Sequence, residues 1–449
     1  MKKFSGLIIP LFLLAALPLF LVLVQTAQHY LSQAAGINAN IVVDASVSQG
    51  PIIPIWQMLA QGGEEKFPFD KIIPKITQLQ PKYIRIDHVF DFYDVVDKKN
   101  GSISYDYSQL DKVVKQIIQT GALPFFSLSY MPPAIAQDGQ ILNPPQFWAD
   151  WSTLIQRTIQ HYSGQSEFNL TGVAYEIWNE PDLFGNWKIG GDKDYRLLYR
   201  YAVAGANQTQ NTNLFKIGGP ATTAPYENWV DGFLNYIAEN HLRLDFYSWH
   251  RYDYNPLTFL EDVNRVDTWL FQNGAGQIEK YITESGPDSK NNSINDSQLA
   301  AAHLVALSRQ LLQRVNGVFT FEIKDGPTSH WGLLTAAGQK KPRFNALNLL
   351  NNVTGTRLLL EGEGTWITGF AGRDGETIRV ILVNLDINQS HLESVPVIIT
   401  NLENGDYLYK EISLYEKEVG SIRTIINNTF TNTILLQPNQ ILLLDLTRK

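Results

Sequence analysis

The feature that most constrains this chain is a repeated alternation of short strand-like runs and helix-like stretches between about residue 50 and residue 345. The runs are mostly aromatic or β-branched: Ile52–Leu59, Tyr83–Val89, Leu123–Ser129, Gly172–Trp178, Lys216–Gly219, Leu244–Trp249, Ile278–Thr283 and Gly317–Ile323. Helical patterns fall between them, as at Leu110–Thr120, Pro145–Tyr162, Lys193–Thr209 and Asp296–Arg314. Eight β units with intervening helices predict a closed (β/α)₈ barrel, an α/β fold whose active site lies at the C-terminal ends of the strands. After about residue 350 the helical rhythm stops. Arg357–Leu360, Thr365–Ala371, Thr377–Asn384, Val395–Thr400, Tyr407–Leu414 and Ile434–Leu446 read as strands of a small β-sandwich. The expected division is a barrel over 37–352 and a sandwich over 353–449, with Asn40–Val47 as an additional strand of the barrel.

Two glutamates stand at predicted strand ends. Glu180 follows the fourth strand, in Val173-Ala174-Tyr175-Glu176-Ile177-Trp178-Asn179-Glu180-Pro181-Asp182. Glu284 ends the seventh, in Ile278-Glu279-Lys280-Tyr281-Ile282-Thr283-Glu284-Ser285-Gly286. Both would point into one mouth. A pair of carboxylates across a sugar ring is the minimum equipment for breaking a glycosidic bond: one protonated to assist the leaving oxygen, one ionised to attack or to activate water.

Composition removes other chemistries. There are no cysteines, which excludes disulfides, thiolate metal sites and cysteine nucleophiles. The eight histidines are scattered, so no metal site is expected. The formal net charge of −8 comes without a basic cluster, which argues against a nucleic-acid partner. At the N-terminus Lys2 and Lys3 precede an apolar run of 18 residues, Leu7 to Val24. Residues 1–36 therefore read as a signal peptide or a membrane anchor. The lysines place everything after about residue 30 outside the membrane, either secreted or associated with it through that segment.

Several segments resemble glycoside hydrolase family 39, within the clan of retaining (β/α)₈ glycosidases. They are Tyr105-Asp106-Tyr107 with Leu110-Asp111, the run Pro124 to Pro132, Trp178-Asn179-Glu180-Pro181, Ile217-Gly218-Gly219-Pro220-Ala221, Asp245 to Tyr252, Thr283-Glu284, and Gly332-Leu333-Leu334 through Lys341-Pro342 to Leu349-Leu350-Asn351. Two positions depart from the family pattern. Asp87 stands in Arg85-Ile86-Asp87-His88 where the family has a histidine, and Phe321 stands nearest the usual tryptophan of the eighth strand.

The resemblance implies a division of labour. Glu180 would be general acid and then base, with its pKa raised by burial or a nearby negative charge, and Glu284 the nucleophile that forms a glycosyl-enzyme intermediate. Asn179 would bind the 2-hydroxyl of the sugar. His250 and Tyr252, two apart on a strand, share one face and would reach both nucleophile and sugar, with Arg251 turned away. Arg85 would orient Glu284 and hold it ionised. Asp87, His88 and Asp325 are further candidates at the mouth, and Tyr130, Trp187 and Trp331 are candidates for stacking on sugar. Glu176 and Glu279 are assigned structural roles. A uronic-acid substrate would call for a Lys or Arg in the pocket, with Lys324 and Lys188 as the candidates. The expected activity is a cofactor-free retaining hydrolase acting on an extracytoplasmic oligo- or polysaccharide. The alternatives are a catalytically silent glycan-binding surface protein or a transglycosylase of the same clan.

Overall fold

The structure, a computed structural model, describes residues 36–449 apart from 64 and 416. The proposed N-terminal signal or anchor lies almost wholly outside the described residues. Within them, no helix is long and apolar enough to cross a membrane.

The first strand, β1 (Ile41–Pro51), corrects an expectation. It pairs antiparallel with β12 (Thr356–Glu361) and parallel with β15 (Glu393–Thr400), so it belongs to the C-terminal sheet and not to the barrel. The barrel begins at β2 (Met58–Gln61), later than the expected Ile52–Leu59. Pro51 and Pro54 have no N–H to give a ladder, and the chain crosses between the two sheets there. The barrel continues through β3 (Tyr83–Ile86), β6 (Leu123–Leu128), β7 (Val173–Ile177), β8 (Phe215–Thr222), β9 (Phe246–Tyr252), β10 (Glu279–Gly286) and β11 (Gly317–Phe321), and it closes by pairing β11 with β2. Every pairing in it is parallel. A hairpin that periodicity does not reveal, β4 (Val96–Lys99) and β5 (Ser102–Tyr105), turns at Asn100-Gly101, both with positive φ.

Several of the helices that wrap the barrel carry one apolar stripe, whereas Gln298–Leu311 is buried on nearly every side. In the helix Leu110–Gln119 the buried residues are Leu110, Val113, Val114 and Ile117, a spacing of three and four. The barrel interior is filled by Met58, Tyr83, Phe125, Phe246, Tyr281 and Phe319, with Phe125 within 4.8 Å of Phe319 centre to centre. These rings make a packed plug beneath the mouth. Gly218 is needed there, because a Cβ would fall 2.3 Å from the Phe246 carbonyl oxygen.

The C-terminal sheet has nine strands, with β16 (Gly405–Ser413) near one end of its order and β18 (Phe430–Leu436) at the other. Tyr409 of β16 nonetheless meets Phe430 of β18 at 5.0 Å, so the sheet folds over on itself into a sandwich around Ile41, Val43, Val380, Leu382, Val397 and Leu436. The expected strand Ile434–Leu446 is two, β18 and β19 (Ile441–Arg448), split by a turn holding Pro438 and Asn439. Another strand, β17 (Glu418–Ile425), has no apolar alternation to betray it. The sandwich packs on the barrel through Phe370, Ile381, Val383 and Leu443.

Candidate active site

Glu180 sits where the backbone leaves β7 by an unusual path. Trp178 (φ 74°) and Glu180 (φ 43°) both occupy the left-handed region, which L-residues adopt at a cost. The surroundings hold them there. Ser127 Oγ donates to the Trp178 carbonyl at 2.9 Å, the Trp178 indole donates to the Phe184 carbonyl at 2.9 Å, and the Glu180 N–H donates to the Ala221 carbonyl at 3.0 Å. This turn lifts the Glu180 carboxyl into the mouth, where it is partly exposed.

Glu284 reaches the same place by a β-bulge. Against β9, Ile282 pairs with Trp249, yet the next pair is Glu284 with His250. Strict alternation would turn Glu284 outward with Ile282. The extra residue turns it inward beside His250. Its carboxylate accepts from Arg85 Nη1 at 2.9 Å and from the Tyr252 hydroxyl at 2.8 Å.

Arg85 is the hub beneath both acids. Fully buried, it gives Nε to Glu176 at 2.7 Å, Nη1 to Glu284 and Nη2 to Asn179 Oδ1 at 2.8 Å. Asn179 is thereby fixed, with its amide nitrogen donating to the Tyr130 hydroxyl at 3.0 Å. His250 joins the two glutamates. Its Nδ1 lies 2.8 Å from Glu180 Oε1 and 3.5 Å from Glu284 Oε2. One ligand atom from each of the three lies within 4.8 Å of the others. That is also the one cluster among the described residues that could hold a metal ion. One oxygen of Glu180 and one oxygen of Glu284 therefore lie within 4.8 Å of each other.

The charges compete. Burial pushes the Glu284 carboxyl above its ordinary value, against the pull of His250, Arg85 and the Tyr252 hydroxyl. Burial disfavours charge on His250, but Glu284 and Glu180 outweigh it and hold the ring above the usual histidine pKa.

Above this group opens a cavity of about 690 Å³ whose lining runs from Gly62 to Trp331 and takes nothing from the sandwich. Asn179, Glu180, Glu284, Tyr252, Asp87 and His88 line it, as do Tyr130 and Trp331. Arg85 and His250 lie behind that wall, reaching the cavity through the glutamates. His88 Nδ1 bonds Asp91 at 2.7 Å. Other expectations are not met. Trp187 is buried against Trp178 at 5.4 Å, a core contact. Asp325 lies outside the lining and is paired with Lys341 at 2.8 Å, because Lys341 is itself buried and needs a counter-charge. Lys324 pairs with Glu65, and Lys188 is absent from the lining. Arg251 borders the cavity but turns its guanidinium out to Asp262, as alternation predicts. Glu176 and Glu279 are held by Arg85 and Lys216. Ile141, Leu142, Leu183 and Phe184 also line the cavity, and nothing in their loop sequence marked them.

The family model for glycosyl hydrolases family 39 matches residues 40–414. The chain belongs to this family. It is a retaining glycosidase, as its family and its relatives indicate. It is similar to a beta-xylosidase of Caldicellulosiruptor saccharolyticus, 24% identical over 70% of each chain. It is also similar to a beta-xylosidase of Geobacillus stearothermophilus, 25% identical over 69% of this chain and 65% of that one. Among solved structures, a family 39 enzyme from Xanthomonas axonopodis pv. citri superposes with a TM-score of 0.79 at 18% identity, covering 92% of this chain and 98% of the other. At that identity the likeness concerns the fold.

Proposed function

We propose that Glu180 is the acid/base and Glu284 the nucleophile of this glycosidase. The observation that carries the reading is the arrangement around His250 Nδ1, 2.8 Å from one glutamate and 3.5 Å from the other at the floor of the cavity. In the first step a Glu284 oxygen attacks the anomeric carbon while the bond to the leaving oxygen breaks and Glu180 supplies its proton. In the second, Glu180 takes a proton from water, the water attacks the same carbon, and Glu284 departs. Asn179, pinned by Arg85 and Tyr130, keeps one amide hydrogen for the sugar 2-hydroxyl. Asp87, His88 and Tyr252 contact the sugar from the wall, and His250 and Arg85 position the acids.

The sugar is neutral in this reading. Arg251, which borders the cavity, is already committed to Asp262, and Lys324 and Lys341, outside the lining, are paired with Glu65 and Asp325, while Asp87, Glu180 and Glu284 make the wall acidic. Two relatives bearing the name beta-xylosidase favour a β-xyloside. Work outside the cytoplasm is supported by Lys2 and Lys3 ahead of the apolar run. The test is labelling with an activated 2-deoxy-2-fluoro-β-xyloside followed by peptide mass mapping. The label should fall on Glu284. A label on any other residue removes the assignment.

A further inference from the structure

The side of the cavity that faces the leaving group is apolar. A general acid must lie beside the oxygen that departs, so the leaving group occupies Glu180's side of the site. On that side the chain turns tightly, with the N–H groups of Leu183 and Phe184 both donating to the Glu180 carbonyl, at 2.9 and 2.6 Å. Both side chains line the cavity and stand open to solvent, Leu183 at 56% and Phe184 at 38%. The loop after β6 brings Ile141 and Leu142 to the same cavity.

These loops are fastened together. Lys193 Nζ donates to the Gly185 carbonyl at 3.0 Å, to Asn143 Oδ1 at 3.0 Å and to the Leu142 carbonyl at 3.4 Å. Gly185, at φ 107°, permits the approach, since a Cβ there would fall 2.8 Å from the Leu142 oxygen. The wall is therefore built before any ligand arrives. Thr223, tied to the same turn through Asp182, is already spent on Asp182 and Tyr226. A sugar in the leaving position needs hydrogen-bonding partners, and the side chains of this apolar wall supply none.

We infer that this enzyme takes glycosides whose leaving group is apolar, an alkyl, aryl or lipid-like alcohol, seated on Ile141, Leu142, Leu183 and Phe184. The inference rests on Glu180 being the acid. The probes are n-alkyl β-D-xylosides from ethyl to octyl, kept below their micelle concentrations, with xylobiose and xylotriose for comparison. Beyond ethyl the basicity of the leaving alcohol hardly changes, so the series reads contact and not chemistry. A fully buried methylene gives about a fourfold gain, so kcat/KM should rise at least ~10-fold from ethyl to hexyl and exceed that for xylobiose. The rise should sit in KM, and Leu183→Ser should flatten it, while Phe184→Leu, which keeps the wall apolar, should preserve it. A flat or falling series, or a preference for xylobiose, with cleavage that disappears in Glu284→Gln, overturns the leaving-group inference alone. Cleavage that survives Glu284→Gln overturns the catalytic reading beneath it.

Discussion

Replacing Tyr252 with phenylalanine removes a single hydroxyl, the one that donates to Glu284 Oε2 at 2.8 Å. The ring itself is held by Gly286 below and Phe321 beside it, so its position should not change. A hydrogen bond to a charged group contributes about 1.5–3 kcal/mol, and the lower half applies where the donor edges onto a wet cavity. The nucleophile must be ionised. Burial already raises its pKa, and the hydroxyl is one of the groups that oppose this. Removing it destabilises the anion and not the acid, so the pKa rises further. At 1.36 kcal/mol per pKa unit the change is about one to two units. The assay is kcat/KM for an aryl β-xyloside against pH, for the wild type and Tyr252→Phe. The acid limb should move to higher pH by about that amount, and some activity should return on raising the pH. An acid limb that stays put while the rate falls at all pH values would show that Tyr252 acts through its contact with the sugar alone and not on the charge of Glu284.

Three other outcomes follow from the geometry. Arg85→Met strands Glu176 and Glu284 in the barrel without their shared counter-charge. It should cost about 3–5 kcal/mol in urea unfolding of the barrel, besides abolishing activity. Glu284→Gln should stabilise. A carboxyl whose folded pKa is raised loses stability as pH climbs through that value, so the glutamine variant should melt about one or two degrees higher at pH 7, with the gap closing toward pH 4. Gly185→Ala places a Cβ 2.6 Å from the Trp187 indole nitrogen at a φ of 107°. It should cost about 1–3 kcal/mol and make the two mouth loops the first sites of limited proteolysis.

Much of this was legible in the chain because the period of apolar residues reports local structure directly. The barrel, the sandwich, and Glu180 beside Asn179 at a strand end follow from runs such as Val173–Ile177, which are apolar, short and closed by a turn. What was hidden depends on register and on distance along the chain. The bulge that turns Glu284 inward is a relation between β10 and β9, and neither sequence contains it. The assignment of β1 depends on partners more than 300 residues away, at Leu360 and Ile398. Arg85 could be read as a partner of Glu284, but its simultaneous grip on Glu176 and Asn179 needs three strands at once. Leu142 and Leu183 are loop residues with no period, gathered by a lysine that closes the gap between two loops.

The central claim is the division of labour between the two glutamates, and azide rescue of Glu180→Gln tests it most directly. An aryl β-xyloside needs little acid assistance to form the intermediate, so the variant should still be glycosylated and should then stall for want of a base. Azide attacks without one. Added azide should restore turnover and release a β-xylosyl azide, retained at the anomeric carbon, as read by proton NMR. An α-xylosyl azide, or no rescue from a variant that remains folded, would contradict the account.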